Sequence, residues 1–117
     1  MRLNYDLIRD IMLKVEFEAN GTSNIDPQGF AEEYFSNYDS EVVLYHIKYL
    51  RNAKMIEPQT GYEFIDLTPK GHEFLNNIRD NKIWEKVKKK AYNCLESVSL
   101  STLAEVAKRI IFSSLGL

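Results

Sequence analysis

Ile8, Ile11, Met12 and Val15 recur at the i, i+3, i+4, i+7 spacing of one helical stripe, with Arg9, Asp10, Lys14 and Glu16 outside it. Asn4 or Asp6 can cap that first helix, and the polar run Ala19-Asn20-Gly21-Thr22-Ser23-Asn24 ends it. Asp26-Pro27 reads as an N-cap followed by proline at the first helical position. Phe30, Ala31, Tyr34 and Phe35 then supply an apolar face, although Gly29 interrupts it and Ile25 can belong to a short strand, so residues 25–36 are helix or partly strand. A third helix capped by Asp39 or Ser40 carries the ridge Val43, Ile47 and Leu50, supported by Leu44 and Ala53.

The period then changes. Met55-Ile56-Glu57 and Tyr62-Glu63-Phe64-Ile65-Asp66-Leu67 are short β-prone runs around Pro58-Gln59-Thr60-Gly61, the pattern of a hairpin. Alternation places Glu63, Ile65 and Leu67 on one face and Tyr62, Phe64 and Asp66 on the other. Thr68-Pro69 starts a fourth helix with Phe74, Leu75 and Ile78 inward. Asp80 or Asn81 starts a fifth, with Ile83, Trp84, Val87 and Ala91 inward. Ser99 caps a sixth, where Leu100, Leu103, Ala104, Ala107, Ile110 and Ile111 keep the helical period until Gly116.

Three helices and a hairpin make the order of a winged helix-turn-helix. The expected fold is mainly α with a small β-hairpin wing and additional C-terminal helices. One domain is expected over 1–117, with a core at 1–79 and a helical extension at 80–117. The stretch from Tyr45 to Leu50, through Met55-Ile56-Glu57, to Leu67-Thr68-Pro69-Lys70-Gly71-His72-Glu73-Phe74-Leu75 resembles the winged-helix pattern in which a Leu-Thr-x-x-Gly segment leads out of the wing. The chain also resembles the bacterial and phage family called domain of unknown function 2513. The residues that carry the likeness are Leu3 to Asp10, Tyr45-His46-Ile47, Gly71 to Leu75, Ile78-Arg79-Asp80 and Ile83-Trp84; residues 19–38 carry no alignable pattern. That resemblance implies a Gram-positive bacterial or phage setting and no particular activity.

Composition narrows the function classes. The 117 residues hold one cysteine, Cys94, so no internal disulfide forms and a reducing compartment is expected. The N-terminus has no secretory apolar region and the apolar runs are far short of a bilayer span, which predicts a cytoplasmic chain with no membrane partner. Cys94, His46 and His72 are the whole stock of Cys and His, too few for a structural zinc site with its roughly four ligands. Cys94 has no neighbouring histidine and reads as a partly buried thiol, and no phosphate-cradling glycine loop is present. Neither catalysis nor a cofactor or metal is expected. His46 and His72 read as packing or hydrogen-bonding residues, His72 near the wing.

Charge frames the remaining question. Net charge is −2, but residues 1–79 hold eight Lys/Arg against thirteen Asp/Glu, and residues 80–117 hold seven against four. Opposite the buried ridge of the third helix lie Glu41, Tyr45, Lys48 and Asn52, with Tyr49 beside them. Asn, Lys and Tyr are residue types that read base edges or grip phosphate, so Tyr45, Lys48, Tyr49 and Asn52 are candidate contacts to double-stranded DNA, for a regulatory module. Against this, Met55 to Pro69 contains no Lys or Arg, and the acidic first part opposes phosphate. The same surface therefore also suits a protein partner, as an adaptor without DNA binding. Lys82, Lys86, Lys89 and Lys90 share one side of the fifth helix, with Lys88 nearby. They read as a solvated face, as phosphate contacts through Lys86, Lys89 and Lys90, or as a stripe that meets the acidic half of a second copy. The sixth helix either folds back on the core or pairs with its twin in a homodimer.

Overall fold

Asn4 opens the first helix: its side-chain oxygen accepts the Leu7 backbone N–H at 3.1 Å, and α1 runs Tyr5–Glu18. The computed structural model describes residues 2–59, 61, 63–94 and 98–116. The expected placement of Tyr62 and the expected burial of the Cys94 thiol lie outside what is described. The α1 stripe is buried as the spacing predicts, and Tyr5 and Leu7 widen it.

Asp26 caps α2 (Pro27–Tyr34) by accepting from Gly29 N–H. Ile25 just before it is a β-bridge residue, exchanging backbone hydrogen bonds with Phe64 at 2.6 and 3.4 Å. The two readings of residues 25–36 are thus both realised, bridge first and helix after. Phe30 anchors α2 with its ring 5.8 Å from that of Phe64, edge-on.

Asp39 is the N-cap of α3 (Ser40–Asn52), without a side-chain capping bond. Val43, Ile47 and Leu50 are buried and Leu44 is half-buried. Its exit is a Schellman motif. Met55 N–H donates to Leu50 C=O, Lys54 N–H donates to Arg51 C=O, and Lys54 itself takes the left-handed conformation at φ +62°.

Strands β1 (Ile56–Pro58) and β2 (Phe64–Leu67) form an antiparallel hairpin. Ile56 faces Leu67 and Pro58 faces Phe64, so two steps along β1 match three along β2. That extra residue in β2 is a bulge, and it corrects the alternation expected for this run. Phe64 and Leu67 share one face, and both are buried. A one-residue insertion resets a period-two pattern, which strict alternation does not anticipate.

Thr68 turns the chain into α4 (Pro69–Ile78). Its hydroxyl accepts from Gly71 N–H at 2.9 Å and donates to Lys54 C=O at 2.6 Å, while its own N–H reaches Met55 C=O. Helix α5 spans Asn81–Cys94 behind an Asp80 cap, and α6 spans Leu100–Ser114 behind a Ser99 cap. Helix, helix, helix, hairpin, helix is an order compatible with a winged helix, in a mainly helical protein.

The chain divides into two compact units, Asn4–His72 and Met1–Leu3 with Glu73–Leu117. In the first, α1 packs on α3 and β2, α2 on α3, and α3 on β1. In the second, α5 packs on α6, with Trp84, Val87, Ala91, Leu100, Leu103 and Ala107 buried. No helix among the described residues is long and apolar enough to cross a membrane.

Candidate functional site

The buried ridge of α3 fixes which residues point outward. Glu41, Tyr45, Lys48 and Asn52 are exposed in one row, and Tyr49 is half-buried beside it. His46, next to Tyr45, is 1% exposed. Its Nδ1 lies 2.8 Å from Val42 C=O and its Nε2 accepts the Asn4 N–H at 2.8 Å, so both ring nitrogens are satisfied within the fold. The Tyr45 ring stands edge-on to this imidazole at 5.6 Å, which gives the exposed row a fixed base.

Cations gather at the C-terminal end of α3, where the helix carbonyls present negative potential. The Lys70 ammonium donates to Ala53 C=O at 3.3 Å, the exposed Lys54 sits in the turn, and Arg51 donates to Gly61 C=O at 3.4 Å, tying α3 to the hairpin tip. Residues 39–72 therefore hold four Lys/Arg against five Asp/Glu, whereas residues 4–38 hold two against seven. The acidity of the first unit belongs to α1 and α2. Sequence reasoning missed Lys54 and Lys70 because they join the α3 surface only through the closed turn and the restart of α4, and it missed Arg51, on α3 itself, because its tie to the hairpin tip is a distant contact.

Between the start of α2 and α3 lies a mostly apolar groove of about 370 Å³, lined by Pro27, Leu44, Tyr45 and Ile47, with Asp26, Lys48 and Arg51 among its polar members. Glu18, Asp26 and Glu33 line a second cleft of about 320 Å³, together with Ile25, Phe30 and Tyr34, and Asp26 borders both. The Tyr34 phenol stands near the carboxylates of Glu18 and Glu33. Burial raises its pKa, and these two carboxylates raise it further. Lys14 lies 4.5 Å from the centre of the Tyr34 ring and 3.7 Å from Glu18.

In the second unit, Lys82, Lys86, Lys89 and Lys90 are exposed and carry no ion pair among the described residues. Lys88 behaves differently: it meets Glu85 at 3.1 Å and lies 5.6 Å from the Trp84 ring centre. His72 stands 3.9 Å from both Glu16 and the wing residue Asp66, near the wing as its position suggests. The described residues contain no cluster of three or more Cys, His, Asp or Glu able to hold a metal ion.

A family model described as "Hypothetical protein (DUF2513)" matches residues 2–98. The chain belongs to this family. A Haemophilus influenzae protein described as "Uncharacterized protein" is 34% identical over 124 residues, which cover 99% of this chain and 100% of the relative. No solved structure matches. The DUF2513 match runs through residues 19–38, which carry no recognisable pattern of their own, and ends just before α6. The α3 row, the basic end of α3, the acidic cleft and the α5 lysines all fall inside the DUF2513 match.

Proposed function

We propose that this DUF2513 protein is a non-enzymatic regulatory module that contacts double-stranded DNA through the exposed face of α3. The observation that carries this reading is the row Tyr45, Lys48 and Asn52 on one side of α3, continued at its C-terminal end by Lys54 and Lys70. An exposed helix of this kind fits the major groove, where Asn pairs with adenine and Lys reaches guanine. Lys54 adds support. A glycine would hold its left-handed backbone at less cost, so a charged side chain is kept there against local strain.

Fluorescence anisotropy with mixed-sequence duplex DNA tests the reading, at low and near-physiological salt, with Lys48→Ala/Asn52→Ala alongside. Binding that weakens steeply with salt and further in the variant is expected. No binding at low salt would remove it.

The apolar groove favours a second reading, a protein–protein adaptor. Pro27, Leu44, Tyr45 and Ile47 offer a partner a hydrophobic slot beside the same α3 row. A protein that fails to bind DNA, yet whose α3 variant loses capture of a purified protein partner, would follow this second course.

A further inference from the structure

The groove between the start of α2 and α3 has the dimensions of a small-molecule site. Its volume of about 370 Å³ falls in the range of clefts that enclose small organic ligands, roughly 300–1,000 Å³. Its walls are apolar, with Pro27 on the α2 side, Leu44 and Ile47 on the α3 side, and the Tyr45 ring bordering them. Leu44, Lys48 and Arg51 recur at i, i+4, i+7, so one stripe of α3 passes from an apolar residue to two cations. Lys48 is exposed and forms no ion pair among the described residues. Arg51 is steadied by its bond to Gly61 C=O at 3.4 Å. Asp26 also borders the groove, but its carboxylate is engaged as the cap of α2, accepting the Gly29 N–H at 3.2 Å. Two cations beside an apolar slot, against one capping carboxylate, select a guest with an apolar body and a negative group.

We propose that this groove binds a small organic anion, an aromatic or aliphatic acid. Its body lies against Pro27, Leu44 and Ile47 and its carboxylate meets Lys48 and Arg51. Removal of the apolar body from water supplies most of the affinity, and the charge-assisted contacts fix the orientation. Every residue involved belongs to the unit Asn4–His72. Tyr45 and Lys48 are also members of the row proposed for DNA, so under that reading the acid and the duplex exclude one another. The site itself stands whether or not DNA binds.

Heteronuclear NMR of the full chain, free of nucleic acid and at low salt, tests this by titration with naphthoate, decanoate and the uncharged naphthalenemethanol. The two acids are expected to shift the amides of Gln28, Leu44, Tyr45 and Lys48 saturably, ahead of the rest of the chain. Naphthoate is expected to bind about fivefold or more tightly than naphthalenemethanol, because only the acid meets the cations. Lys48→Gln keeps most of the stem and removes the charge. It is expected to weaken both acids about fivefold and to leave the alcohol nearly unchanged. The amide spectrum of the variant checks that it folds. Absence of saturable binding by either acid overturns the proposal, as do shifts spread evenly over the surface. An acid that binds Lys48→Gln as tightly as the native chain overturns it equally, and the groove is then left to the protein partner of the adaptor reading.

Discussion

The backbone N–H of Asn4 donates to Nε2 of His46, 42 residues away, at 2.8 Å. Nδ1 carries the ring's single N–H proton and donates it, because its partner Val42 C=O can only accept. The tautomer is therefore fixed by two backbone groups, and the ring joins the start of α1 to the middle of α3. His46→Leu fills the space but leaves the Asn4 N–H without its acceptor. Urea unfolding is expected to show a loss of about 1–3 kcal/mol. An unchanged midpoint would mean that water replaces the imidazole at no cost.

Two glycines should respond differently to alanine. A Cβ at Gly71 would clash with the backbone carbonyl of Met55, which cannot swing away because it also accepts from Thr68 N–H. Gly71→Ala is expected to cost about 3 kcal/mol by forcing α4 off the strand entry. Gly61 sits at φ +84° with open space around it, so Gly61→Ala pays only the backbone term, about 1 kcal/mol. Thermal unfolding of both variants, measured side by side, should give that order; the reverse order would contradict the close approach of α4 to Met55.

Lys54 separates folding from function. Replacing a left-handed lysine with glycine relieves strain at the end of α3, and Lys54→Gly is expected to stabilise the protein by about 1 kcal/mol. Under the DNA reading the same change removes a cation from the proposed face. DNA affinity is expected to fall while the urea midpoint rises. A variant that gains stability and binds DNA as well as the native chain would remove Lys54 from the interface.

The caps and stripes of this protein are local, and locality made them legible. Asp26-Pro27, Thr68-Pro69 and Ser99 start helices because each cap needs only the next three residues, and the α3 row follows from the ridge on the other side of the same helix. What could not be read depends on distant chain. Ile25 pairs with Phe64, the bulge in β2 depends on β1, and Asn4 depends on His46. The basic end of α3 is of the same kind, since Lys70 reaches Ala53 only after the hairpin has closed.

Tyr34 offers a spectroscopic view of the acidic cleft. Its phenol is held protonated by burial first and by Glu18 and Glu33 second, so its pKa lies above the ordinary 10.0. As pH rises past 10, the unfolded chain loses this proton before the folded one does. The folded state then binds more protons, and the stabilisation present below pH 10 is lost as pH climbs through the folded pKa. Ultraviolet titration of tyrosinate, with Tyr34→Phe subtracted, is expected to place Tyr34 above the exposed tyrosines. Glu18→Gln/Glu33→Gln should lower its midpoint without returning it fully to 10.0, because burial remains. If the double variant left the midpoint unmoved, the two carboxylates would not converge on this hydroxyl.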